Sequence, residues 1–139
     1  MEKSPPPEPR PVKPEKEAPK KKILVVEDDP DTLELMKIFL GDDSYDVTVA
    51  DDAFQGMKEL FRQTPDLVLA DALLPLMTGL DLCRIVKGHP EMNEIPFIIL
   101  SAAAQENEIR SGYEVGADAY LVKPVASQDL IDTIRKFTS

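Results

Sequence analysis

The chain has one cysteine, one histidine and no long apolar run, and each scarcity excludes something. A lone thiol, Cys83, rules out an intrachain disulfide and any cysteine-rich metal site. Its setting, LDLCRIV, fits a small buried hydrophobe in a helix better than a nucleophile. No run reaches the roughly 18–20 apolar residues of a membrane span. The N-terminus is charged and proline-rich where a signal peptide needs an apolar core, so a cytoplasmic setting away from membranes is expected. The only histidine, His89, sits in KGHPEMNEIP, a loop remote from the strand ends that matter below. Basic charge is scarce after residue 22. Residues 1–22 carry seven Lys/Arg and four Glu, and the remainder carries nine basic and 22 acidic side chains. That body has a formal charge of −13 within a total of −10. Direct nucleic-acid binding is not expected of it, because phosphate contacts need basic surface. Its charge suits a metal cation or a basic protein partner.

What is present falls into two parts. Residues 1–22 hold seven of the 13 prolines and too little apolar surface to offset ordering entropy, so they read as an extended linker or spacer. A polyproline docking segment is the less favoured reading. From Ile23 to the C-terminus, short apolar runs alternate with amphipathic stretches. ILVV (23–26), YDVTVA (45–50), residues 67–70, IPFIIL (95–100) and GADAYLVKP (116–124) read as strands, the second suited to a sheet edge. Asp29–Pro30 opens a first helix with Leu33, Met36, Ile38, Phe39 and Leu40 on its apolar face, and Gly41 stops it. Asp51–Asp52 caps a second helix, AFQGMKELFRQ, with Phe54, Met57, Leu60 and Phe61 at helical spacing. Gly56 within it suggests close packing. Helices are also expected over 79–86, 105–115 and SQDLIDTIRKF, the last capped by Ser127 with Leu130, Ile131 and Ile134 turned inward. Five strand-then-helix units imply a parallel sheet with helices on both faces, an α/β doubly wound fold.

Ligands of such sheets sit beyond the carboxyl ends of the strands. There the sequence places Glu27 and Asp28 after the first strand, Asp71 after the third, Ser101 after the fourth and Lys123–Pro124 after the fifth. Carboxylates this close repel unless a cation gathers them, and hard oxygen ligands suit Mg²⁺. A carboxylate beside a cation, faced by a hydroxyl and an ammonium, also meets the needs of phosphoryl transfer. Asp71 is the expected nucleophile. Lys123 pairs with it at rest and later holds a phosphoryl oxygen, and Ser101 donates to another.

The motifs ILVVEDDP, PDLVLADALLPLMTGLDLC, IPFIILSA and GADAYLVKP resemble, in order and spacing, the receiver domain of two-component response regulators. The resemblance covers about residues 22–138 and sets domain bounds of 1–22 for the tail and 23–139 for the receiver. It implies a flavodoxin-like (βα)5 fold, five parallel strands in the order 2-1-3-4-5. It makes Asp28 a direct Mg²⁺ ligand, Glu27 a ligand acting largely through water, and Asp71 the phosphoacceptor and modified residue. Leu73 then lends its backbone carbonyl to the metal, Ser101 is the switch hydroxyl, Lys123 the catalytic lysine before a proline that is often cis, and Tyr120 the aromatic switch. The implied partners are a sensor histidine kinase or phosphotransfer protein, a downstream protein partner, and a second copy through the fourth helix, fifth strand and fifth helix. The only enzymatic activity implied is Mg²⁺-dependent phosphorylation and dephosphorylation of the domain itself.

Several positions depart from the family pattern. Leu76 and Thr78 replace small or acidic residues, and Val125 replaces a frequent Phe; altered partner contacts are the expected consequence. Leu73 and Ala103 cannot hydrogen-bond to a hydrolytic water, so slow self-dephosphorylation is expected. Pro75 and Gly79 keep the turn chemistry, the glycine being read as a positive-φ residue. Arg110, Asp118 and Asp129 offer pairable charges for a dimer, with solvated roles favoured, and "LFRQ" and "RIVK" read as solvated basic touches. Asp29 reads as a cap, Asp71 has an ordinary alternative as a turn former, and Ser101 one as a loop cap. The competing function is a pseudo-receiver, a phosphorylation-independent interaction module. A phosphate-ester hydrolase ranks low for want of a second acid–base carboxylate, and a dinucleotide module lower, since EDDP would repel a pyrophosphate. With no output domain after the fifth helix, the expectation is either a stand-alone receiver or a piece of a longer chain.

Overall fold

Every strand of the sheet runs the same way, and the strands read from short apolar runs are all there. The computed structural model describes residues 20–41 and 44–139, so residues 1–19 of the expected tail lie outside the described residues. The elements are β1 (Lys21–Val26), α1 (Pro30–Leu40), β2 (Tyr45–Ala50), α2 (Ala53–Gln63), β3 (Leu67–Asp71), α3 (Gly79–Gly88), β4 (Phe97–Ser101), α4 (Glu106–Glu114), β5 (Ala119–Val122) and α5 (Ser127–Thr138). The sheet order is β2-β1-β3-β4-β5, with all four pairings parallel. This is the doubly wound, flavodoxin-like fold expected. β1 begins at Lys21, two residues before the Ile23 start, because Lys21 and Lys22 pair with Tyr45 and Asp46.

The central strands β3 and β4 are buried at every position, which is why they read as unbroken apolar runs. Alternate residues feed two cores. Leu24, Val26, Val68, Ala70, Phe97 and Ile99 face α2, α3 and α4, where Leu60, Leu82, Val86 and, just past α4, the partly buried Val115 pack with them. Ile23, Val25, Leu67, Leu69, Ile98 and Leu100 face α1 and α5, meeting Met36, Leu40, Leu130 and Ile134. Burying one such Leu or Ile side chain contributes roughly 1.5–3 kcal/mol. β2 is only half-buried, as an edge strand should be.

Local chemistry sets the helix ends. The Asp29 carboxylate accepts from the Thr32 N–H at 3.1 Å and its hydroxyl at 2.6 Å, and Gly41 closes α1 at φ 73°. Asp52 caps α2 through the Gln55 N–H, and Thr78 caps α3 through the Asp81 N–H. The Gln105 N–H donates to Glu108, closing a capping box at α4. α5 departs from expectation. Its N-cap is Ala126, Ser127 is already helical, and no side chain caps it.

Three apolar residues expected on inner helix faces are exposed: Ile38 (65%), Phe54 (49%) and Phe61 (65%). In α2 the residues at 53, 56 and 60 form the buried stripe, and a 3.6-residue turn swings 54 and 61 away from it. Gly56 does mark a close approach. A Cβ there would lie 3.0 Å from Cγ2 of Val26.

In RIVK, Arg84 is solvated as expected, 64% exposed beside Asp81, but Lys87 is not. Lys87, only 18% exposed, donates to the Ile95 carbonyl and the Asp118 carboxylate, both at 2.9 Å, and to the Asn93 carbonyl at 3.3 Å. Asp118 also accepts from the Phe97 N–H at 2.8 Å. This pair ties the end of α3 to the starts of β4 and β5, so Asp118 is engaged within the chain rather than simply solvated. Arg110 instead pairs loosely with Glu106 at 3.8 Å, and Asp129 is exposed. His89 caps α3 and meets Phe61 edge-to-face, centroids 5.7 Å apart. Because helices run back against the strands, this places it at the opposite end of the sheet from the carboxyl rim. Among the described residues no helix is long and apolar enough to cross a membrane.

Candidate functional site

The strand register brings the carboxyl ends level. Val26 pairs with Ala70, Asp71 with Leu100, and Ser101 with Val122. The ladder continues past the strands, with the Glu27 N–H donating to the Ala50 carbonyl and the Lys123 N–H to the Ser101 carbonyl, both at 2.9 Å. Side chains alternate along a strand. Glu27, Asp71 and Lys123 follow Val25, Leu69 and Leu121 on the α1/α5 side, whereas Ser101 follows Ile99 on the α4 side. Residues far apart in sequence thus meet because they share a rim and a parity.

At the rim, Glu27 is 2% exposed, Asp71 8% and Ser101 fully buried, while Asp28 is exposed. Carboxylate oxygens of Glu27, Asp28 and Asp71 lie within 4.8 Å of one another. The Lys123 ammonium stands 2.8 Å from Oδ2 of Asp71 and 2.9 Å from Oε1 of Glu27. The second oxygen of each carboxylate also accepts a backbone N–H. Glu27 Oε2 takes that of Asp29 at 3.1 Å, and Asp71 Oδ1 that of Leu73 at 3.0 Å. Asp71 therefore does form a turn, in addition to anything else it does.

The electrostatics favour a cation. Burial pushes the Glu27 carboxyl above its ordinary range, and the Asp71 charge adds to this. The Lys123 hydrogen bond and the Asp29 N–H pull it back only in part. For Lys123, burial disfavours the ammonium, but its hydrogen bonds and charge attraction to Asp71 and Glu27 outweigh that and raise its pKa. One ammonium among three carboxylates leaves two negative charges uncompensated. A divalent ion held by oxygen ligands matches that deficit and the donor set. Asp29, expected to be a mere cap, is one, and its carboxyl is lowered by the Thr32 hydrogen bonds.

Two features escape a reading of the sequence. A Cβ on Gly79 would lie 2.0 Å from the Asp71 carbonyl oxygen, and the Gly79 N–H donates to the Ala72 carbonyl at 2.9 Å. The glycine is needed for this close approach of backbones. It is not at positive φ; Leu76 is, at 72°, a conformation costing about 1–3 kcal/mol for such a residue. The second feature is a backbone relay. Ser101 Oγ accepts from the Ala103 N–H at 3.0 Å, so Ser101 does cap its loop. The Ala103 carbonyl accepts from the Tyr120 hydroxyl at 2.6 Å. The Tyr120 ring lies against Gly112 of α4, where a Cβ would come 2.6 Å from Cδ2. The Lys123–Pro124 peptide is cis.

Known proteins are similar to this chain in sequence and in fold. The chain is 34% identical over 116 residues to the DNA-binding response regulator MtrA of Mycolicibacterium smegmatis, covering 84% of this chain. It spans about half of that relative's length, 50%. The signal receiver domain of a signal transduction histidine kinase from Syntrophus aciditrophicus superposes with a TM-score of 0.79 at 30% identity, covering 85% of this chain and 89% of that one. The receiver domain of the sensor histidine kinase PA1611 from Pseudomonas aeruginosa, with magnesium coordinated in its active site cleft, gives a TM-score of 0.79 at 27% identity. That match covers 86% of this chain and 98% of the other. Residues 23–135 match the model of the response regulator receiver domain. The chain belongs to that family, the phosphoacceptor domains of two-component response regulators.

Proposed function

We propose that the chain accepts a phosphoryl group on Asp71 from the phosphohistidine of a sensor kinase or phosphotransfer protein, and passes the event to a protein-binding surface. The observation that carries this is the Lys123 ammonium placed 2.8 Å from Asp71 and 2.9 Å from Glu27, beside a carboxylate cluster able to hold a divalent ion. An Asp71 oxygen attacks phosphorus as the donor's N–P bond breaks. The imidazole nitrogen keeps that electron pair and takes up a proton. Asp28, Asp71 and the Leu73 carbonyl would hold Mg²⁺, with Glu27 acting largely through water. The bound ion supplies positive charge for the equatorial phosphoryl oxygens. Lys123 exchanges its Asp71 contact for a phosphoryl oxygen, and Ser101 donates its hydroxyl to another. Hydrolysis returns the carboxylate and inorganic phosphate.

Movement of Ser101 toward the phosphoryl group would strain its bond to the Ala103 N–H. The relay through the Ala103 carbonyl to the Tyr120 hydroxyl then alters how the ring sits on α4. The responding surface is α4, β5 and α5, for a downstream protein or a second copy. No direct role in nucleic-acid binding is assigned to this acidic body. Incubation with acetyl phosphate tests the core reading: Mg²⁺-dependent labelling of wild type and none of Asp71→Asn is expected. Failure of wild type to label in millimolar Mg²⁺ would favour a phosphorylation-independent module.

A further inference from the structure

The loop leaving Asp71 carries a residue that folding does not explain. Among the described residues Leu76 is the single non-glycine residue in the left-handed region, at φ 72°, and it is 83% exposed. It belongs to neither core cluster. Backbone strain disfavours leucine there, and no burial offsets it. Glycine or asparagine would suit that conformation better. The turn fixes the φ, but nothing in the packing calls for a leucine there, and such a side chain in the loop that starts at a reacting carboxylate points to a functional reason.

The loop is held from beneath. Ala72 and Leu74 are buried, the Gly79 N–H donates to the Ala72 carbonyl at 2.9 Å, and the Met77 N–H to the Pro75 carbonyl at 2.7 Å. Leu76 is thus presented from a fixed frame, near a second exposed leucine, Leu73, at 65%. Both stand on a chain whose surface charge is mostly acidic. Asp71 is only 8% exposed, so a donor reaches it across the rim that this loop borders. A small donor such as acetyl phosphate covers little beyond the carboxylate. A protein must lay its own surface over the rim to bring a phosphohistidine into line.

We infer that Leu76 is a specificity-determining contact for a protein phosphodonor, seated in an apolar depression beside that donor's phosphohistidine, and that small donors do not use it. The inference rests on Asp71 being the phosphoacceptor. Its test compares wild type with Leu76→Gly and Leu76→Asn, against acetyl phosphate and against a panel of autophosphorylated histidine kinases from the same genome. Labelling by acetyl phosphate is expected to stay within about twofold, and Leu76→Asn to keep the thermal midpoint at or above that of wild type. Transfer from the kinase that serves wild type is expected to fall about tenfold or more in kcat/KM, carried mainly by KM, as loss of a buried leucine contact implies. Kinase transfer within twofold of wild type overturns the inference. So does an equal fall with both donors, a lowered midpoint with labelling lost, or a wild type that takes phosphoryl from acetyl phosphate but from no kinase. Wild type that accepts from neither donor overturns the phosphoacceptor reading itself.

Discussion

The Lys123 ammonium lies 2.8 Å from Oδ2 of Asp71 across a sequence separation of 52 residues, and the same nitrogen holds Glu27. This ammonium thus pairs with two of the three clustered carboxylates. Replacing it by methionine keeps the stem and removes the charge. Lys123→Met should lose about 2 kcal/mol in EDTA at neutral pH, below the range for a fully buried pair because Lys123 is partly exposed. Because the ammonium's pKa is raised in the folded chain, its stabilisation is present below the ordinary lysine range and is lost as pH rises through the folded value. Urea unfolding checks this; a variant as stable as wild type in EDTA would show the pair to be unimportant.

Magnesium should stabilise the protein by linkage. At ten times its Kd, an ion bound only by the folded chain contributes about 1.4 kcal/mol. Thermal melts with and without Mg²⁺ should show an upward shift in wild type and little or none in Asp28→Ala. Equal shifts in both proteins would place the ion elsewhere.

Gly79 should tolerate no side chain. With a Cβ 2.0 Å from the Asp71 carbonyl oxygen, Gly79→Ala has to move backbone directly beneath the Asp71 carboxylate. A loss of about 2–3 kcal/mol is expected, together with slower acetyl phosphate labelling. Gly88, which has nothing within 4 Å of its added Cβ, is the control. Wild-type labelling and stability in Gly79→Ala would contradict this packing.

Cys83 should be inert while the chain is folded. It is fully buried, and burial pushes its thiol from 9.0 up to about 11. Ellman's reagent at pH 8 is expected to label it only through unfolding, and to label one thiol at once in guanidinium. Between those two pKa values the unfolded chain ionises first, so stability attributable to this group falls as pH rises through that window. Cys83→Ala should show a shallower decline there than wild type. Rapid stoichiometric labelling of the native protein would contradict the burial.

The phosphoryl group should be long-lived. Leu73 and Ala103 offer no side-chain hydrogen bond to an attacking water, and Leu73 stands exposed at the rim. Decay over minutes or longer is expected without a phosphatase. Decay of labelled protein within seconds would show that water is positioned by other groups.

Local pattern was enough for much of this. β3 and β4 were legible because strands covered on both faces need unbroken apolar runs, and Asp29, Asp52 and Gly41 announced helix ends through side-chain size and φ preference. The positions of Glu27, Asp28, Asp71, Ser101 and Lys123 followed from the rule that strand ends carry the chemistry. Ile38, Phe54 and Phe61 were misread because apolar spacing marks a helix without fixing the last fraction of its rotation. Ser127 passes for the cap of α5 because a capping residue type one position inside a helix looks the same in sequence.

Other features depend on groups distant in sequence. Whether Lys87 is a solvated charge or a tie between Ile95 and Asp118 depends on which carbonyls and carboxylates fold around its stem. Gly79 and Leu76 exchange roles for a similar reason: backbone approach and the sign of φ are settled by how the loop closes on Ala72, and composition carries no record of that. The order of the carboxylates along the chain was chemical information; their convergence on one ammonium came from parallel pairing, which alone sets register and parity across the sheet.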